Sequence, residues 1–135
     1  MTILTAIDKD PGCEGVVSTA QELATGLGKE LIVLHVVPES ENVANAREGV
    51  ERIVSDAVGN TDRVTLQVVS ERARRDAPTG RTASHVLDVA EDLDPDYIVI
   101  GSRKRTPLGK VLLGSVSQLV LTNADVPVVT VEQTT

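Results

Sequence analysis

The sequence predicts a doubly wound α/β domain: a five-stranded, mostly parallel sheet with helices on both faces. Three observations point to it. Short apolar runs alternate with amphipathic stretches, in the order β-α-β-α-β-α-β-α-β. Several of the runs are continuous in Val, Ile and Leu, as expected of strands buried on both faces. The apolar fraction is 41%, but Tyr97 is the single aromatic residue, so the core is aliphatic, which suits a parallel sheet under helices. At 135 residues, with no repeat, low-complexity stretch or linker, the chain reads as one domain, 1–135.

The elements follow in order. Residues 3–7 (ILTAI) form a first strand ending at Asp8, and Asp10-Pro11-Gly12 make the turn after it. From Cys13 to Leu27, Val16, Val17, Ala20, Leu23, Ala24 and Leu27 recur at helical spacing, and Gly28 closes the helix as a left-handed cap. Residues 30–37 (ELIVLHVV) read as a buried strand closed by Pro38. Val43, Ala46, Val50, Ile53, Val54 and Ala57 give a second amphipathic helix, ended by Gly59-Asn60. Residues 64–69 are a third strand, followed by an Arg-rich polar loop over 72–81. A third helix carries Ala83, Val86, Leu87, Ala90 and Leu93 on its core face, leaves His85 to solvent and stops at Asp94-Pro95. Residues 97–100 form a fourth strand running into Gly101, 111–123 a fourth helix, and 126–131 a fifth strand.

Composition removes several classes of function. A net charge of −7 disfavours nucleic acid, since phosphate neutralisation needs a basic face. The near absence of aromatic residues removes base-stacking platforms. Cys13 is alone, and with His35 and His85 it has no metal-ligand spacing. His35, inside an apolar strand, reads as a buried histidine bonded to backbone. The longest apolar runs are too short to span a bilayer, and the N-terminus lacks the pattern of a signal peptide, so the expected location is the cytoplasm. Lys is scarce (Lys9, Lys29, Lys104, Lys110) beside nine Arg and twenty acids. That balance suits a high-salt cytoplasm, where screening weakens the repulsion among excess charges.

In a parallel sheet of this kind, ligands bind beyond the carboxyl ends of the strands, where the winding reverses. The strand ends to inspect are Asp8 and Gly101. The stretch 101–115, GSRKRTPLGKVLLGS, holds Arg103, Lys104, Arg105 and Lys110 and no acid, so its +4 stands against −11 for the remainder of the chain. Its glycines let backbone amides approach an anion, and the following helix start adds a favourable dipole. A solvated strand-to-helix connection whose glycines serve turns accounts for the loop equally well on these grounds alone. Gly109-Lys110 is followed by Val111, so the loop is not a Walker motif, and residues 8–15 lack the glycine spacing of the dinucleotide fold.

Gly101 and the pair Gly114-Ser115, at their separation, resemble the nucleotide loop of the universal stress protein family, with Lys104 standing where that family has a second glycine. The resemblance covers essentially the whole chain: the first strand ending in Asp8, Leu34-His35-Val36-Val37, the approach from Asp96 to Gly101, and Leu112 to Val116 followed by Asp125-Val126-Pro127-Val128-Val129. It implies the adenine nucleotide alpha hydrolase-like (Rossmann-like) arrangement with strand order 3-2-1-4-5. It further implies a stress-response protein that binds ATP, with Mg²⁺ accompanying the phosphates, and that is not primarily an enzyme. Carried over by position, Asp8 contacts the nucleoside and Val36 offers backbone groups to adenine. Ala6 and Ile100 line the pocket, Gly101, Gly114, Ser115 and Val116 hold the phosphates, and Arg103 and Lys104 lie beside them. Family members pair their last strands across a two-fold axis, which implies a homodimer through 126–131. Two alternatives stay open: a dimer that has lost nucleotide binding and acts through protein contacts, and a slow nucleotide hydrolase.

Overall fold

The computed structural model describes residues 1–8, 12–38, 40–59, 61–70, 81–102 and 114–133. Among them nine elements alternate: β1 (Thr2–Ala6), α1 (Cys13–Leu27), β2 (Glu30–Val37), α2 (Val43–Ala57), β3 (Val64–Ser70), α3 (Arg81–Leu93), β4 (Tyr97–Ser102), α4 (Ser115–Asn123) and β5 (Val128–Glu132). The strands form one sheet in the order β3-β2-β1-β4-β5, and its four pairings are all parallel. This is the doubly wound arrangement expected from the alternation of elements.

Strand alternation divides the core into two layers. Ile3, Leu31, Val33 and Val99 point to one face, where they meet Val16, Val17 and Ala20 of α1 and Val50 and Val54 of α2. Their neighbours Leu4, Ile32, Leu34, Ile98 and Ile100 point to the other, against Val86 of α3 and Val120 of α4. The three inner strands are therefore apolar at nearly every position, whereas β3 and β5, at the sheet edges, are only partly buried. Thr5, fully buried in β1, keeps its hydroxyl satisfied by donating to the Val99 carbonyl at 2.9 Å.

Helix ends follow local chemistry. Gly28 takes φ 68°, ψ 36° after α1, and its amide donates to the Thr25 carbonyl at 3.2 Å. Asn42 caps α2, its side chain accepting from the Asn45 amide at 3.2 Å. After α3, Asp94 adopts φ 46°, a left-handed conformation that Asp tolerates better than most residues.

Four sequence expectations need correction. The fourth helix starts at Ser115 rather than Val111, because Gly114 is extended (φ −68°, ψ 165°) and stands as its N-cap. The fifth strand starts at Val128 rather than Val126, since Pro127 has no amide to enter the ladder and only its carbonyl pairs, with the Ile98 amide. On α3 the core stripe also takes in Val89, which packs against the second cluster. His85, four residues before Val89 on the same face, is accordingly buried, not solvated.

An ion pair fastens the amino-terminal side of the sheet. Lys29 Nζ lies 2.9 Å from Asp96 Oδ2, and the Asp96 amide donates to the Thr2 carbonyl at 2.9 Å. The hydrogen bond from Lys29 holds the Asp96 carboxyl below its ordinary range. A carboxylate held low adds stability above its unfolded-state pKa and loses that contribution as pH falls through its folded value. Asp96→Asn is therefore expected to lower the melting temperature slightly at neutral pH and to leave it unchanged in acid. Thermal melts of both proteins from pH 7 down to 3 measure this.

Candidate functional site

Between β1 and β4 the winding reverses: from β1 the chain moves outward to β2 and β3, then crosses back to β4 on the opposite side. The reversal separates α1 and α2 on one face from α3 and α4 on the other, which opens a cleft beyond the carboxyl ends of the inner strands. A cavity occupies that cleft. Ala6, Ile7 and Asp8 come from the end of β1, Leu34 and Val36 from β2, and Ile100 and Gly101 from β4. Val16 of α1, Thr82 and Val86 of α3, Val116 and Ser117 of α4, and Gln133 after β5 complete its wall.

Six of the ten site residues expected from sequence thus share one cavity: Ala6, Asp8, Val36, Ile100, Gly101 and Val116. Gly114 is the N-cap of α4 and Ser115 its first residue, at the start of the helix that carries Val116 into the wall. Arg103 and Lys104 lie outside the described residues, as does the rest of the basic loop over 103–113 and the Arg-rich segment over 71–80. Sequence reasoning missed Thr82, Ser117 and Gln133, the polar wall residues from α3, α4 and the chain after β5.

Several contacts build the site. His35 is buried in β2, and its Nδ1 donates to the Ile7 carbonyl at 2.8 Å, which fixes the backbone immediately before Asp8. His35 Nε2 has no hydrogen-bond partner among the described residues. The expectation of a backbone-bonded, buried histidine is met. The Ile7 amide donates to the Leu34 carbonyl at 2.9 Å, continuing the β1–β2 pairing past Ala6. Across the cleft, Ser117 Oγ donates to the Gly101 carbonyl at 2.9 Å and ties the first turn of α4 to the end of β4.

The wall combines apolar and polar groups. Ala6, Leu34, Val36, Val86, Ile100 and Val116 supply aliphatic surface, while Asp8, Thr82, Ser117 and Gln133 supply hydrogen-bonding groups. Asp8 is the one ordinarily ionised side chain among the described lining residues. The N-cap of α4 is Gly114, which has no side chain to cap the first-turn amides. Oriented amides at a helix start favour a negative group.

The sequence matches the profile of the Universal stress protein family over residues 1–132. The chain belongs to the universal stress protein family. A universal stress protein of Methanocaldococcus jannaschii is 28% identical over 121 residues, which cover 84% of this chain and 71% of the relative. A universal stress protein from Archaeoglobus fulgidus superposes with a TM-score of 0.75 at 29% identity, over 96% of this chain and 97% of that one. The universal stress protein from Archaeoglobus fulgidus in complex with dAMP has a TM-score of 0.71 at 24% identity, covering 96% of each chain. Among the described residues no helix is long and apolar enough to cross a membrane.

Proposed function

We propose that this universal stress protein binds an adenine nucleotide, ATP foremost, in the cavity between the ends of β1 and β4. One observation carries the reading: Asp8 at one strand end, and Gly101 with Val116 and Ser117 of the first turn of α4 at the other, line a single cavity at the winding reversal. Ala6, Leu34, Val36 and Ile100 offer an aliphatic slot for a flat base. Asp8 accepts from ribose hydroxyls, and the backbone of Val36 meets the adenine edge. Gly101, Gly114, Ser115 and Val116 hold the phosphates, with the positive charges of Arg103 and Lys104 close in sequence. Mg²⁺ enters with the nucleotide, held mainly by its phosphates. The dAMP complex of the Archaeoglobus fulgidus protein supports the same ligand class.

The lining favours binding over turnover. A hydrolase needs a group to activate water beside the phosphates, and Asp8, the titratable residue of the described wall, is assigned to the nucleoside. The protein acts as a cytoplasmic binder of ATP that senses or sequesters it, and two copies pair through β5. That strand lies at the sheet edge with Val129 and Val131 only partly buried, and an unpaired apolar edge is normally covered.

Calorimetric titration with ATP and GTP tests the proposal. Backbone groups that complement adenine meet a reversed donor–acceptor pattern on guanine, so GTP should bind at least about tenfold more weakly than ATP, a difference of about 1.4 kcal/mol. Equal affinities would remove the adenine assignment. Lys104, in place of a family glycine, favours a second reading in which nucleotide binding has been lost. That reading predicts no heat for the natural protein and a saturable isotherm for Lys104→Gly.

A further inference from the structure

Gln133 follows β5, yet its position is fixed. Its amide donates to the Ser102 carbonyl at 2.8 Å, extending the β4–β5 ladder one step beyond the strand. In that ladder Gly101 pairs with Val131 and Ser102 with Glu132. Alternation therefore turns Gly101, Val131 and Gln133 to the same face of the sheet. Gly101 has no side chain there, and Gln133 fills the space. A Cβ placed on Gly101 would lie 2.6 Å from Gln133 Cδ, 2.7 Å from its Oε1 and 2.9 Å from its Cγ. Gly101 has no positive φ, so it is the room beside it, not its backbone conformation, that calls for glycine. The end of the Gln133 side chain thus lies on Gly101 within the cavity wall.

We propose that Gln133 is a ligand-contacting residue that recognises the phosphate end of the nucleotide, a role that rests on the nucleotide reading above. A carboxamide carries two N–H donors and no charge, so it can donate to a phosphate oxygen without repelling it. A carboxylate of the same shape has no donor and adds a like charge at the same point. The base and ribose, held from the β1 and β2 side, do not meet this group. Gln133 therefore separates phosphorylated ligands from the free nucleoside.

The test is calorimetric titration of the full chain, Gln133→Ala and Gln133→Glu with ATP and with adenosine, each variant's fold checked by circular dichroism. Gln133→Glu should weaken ATP by at least about tenfold and adenosine by less than about twofold, and Gln133→Ala should weaken ATP by about three- to tenfold. Gly101→Ala should weaken ATP by displacing Gln133, and adding Gln133→Ala to it should cost little more. ATP affinity unchanged in both Gln133 variants, or raised in Gln133→Ala as if a plug had been removed, would overturn the role of Gln133 alone. A natural protein that binds neither ATP nor adenosine would overturn the nucleotide reading and this one with it.

Discussion

Leu4→Ala is expected to lower the unfolding free energy by roughly 2–5 kcal/mol, the range for emptying a fully buried leucine site. Leu4 is 0% exposed and sits on β1, the middle strand of the sheet. It lies beside Ile32 on one side and Ile98 on the other, and Val86 and Val120 belong to the same cluster. Strands locked in register on both sides cannot close over the lost volume, so the cavity persists. Against a typical domain stability of about 5–15 kcal/mol, the change should move the melting temperature by on the order of 10 °C. Urea unfolding of both proteins measures it. A loss below about 1 kcal/mol would mean that the layer holding Leu4 is not close-packed.

Asp8→Ala is expected to weaken ATP by about 10- to 100-fold. A hydrogen bond to a charged acceptor is worth about 1.5–3 kcal/mol, and 1.4 kcal/mol is tenfold. Asp8 stands at the end of β1 in the cavity wall, where the Ile7 backbone before it is held by both Leu34 and His35. With the backbone before it held, Asp8 loses less freedom on accepting the ribose hydroxyls, which keeps more of that energy as affinity. Asp8→Asn retains one acceptor oxygen and should fall between the two. Calorimetry at neutral pH reads all three proteins. An alanine variant binding as tightly as the natural protein would place the nucleoside elsewhere.

The parts of this molecule readable from sequence are those governed by local pattern. Residues 30–37 are apolar at nearly every position because β2 is buried on both faces, and its limits agree with the expectation. Helix α1 was legible at both ends, its close marked by Gly28 in a conformation that favours glycine. The misses depend on neighbours distant in the chain. His85 has a polar side chain on the edge of an apolar stripe, and the packing of Val89 against the sheet decides that it is covered.

The site divides in the same way. Asp8 and Gly101 were found because strand ends at a winding reversal follow from the order of elements alone. The positions of Ala6, Val36, Ile100 and Val116 were implied by family resemblance, and one cavity collects them. Gln133 carried no signal: a glutamine beyond the last strand looks like solvated chain. Its place in the wall comes from the ladder bond to Ser102 and the space left by Gly101, which lies 32 positions earlier in the chain.

The most direct test of a nucleotide site at the winding reversal is a crystal structure of the protein grown with millimolar ATP. Continuous density is predicted between the ends of β1 and β4, with ribose at Asp8, adenine against Val36 and phosphates at Gly101 and the start of α4. A cavity that stays empty under those conditions, or a nucleotide bound on another face, would contradict it.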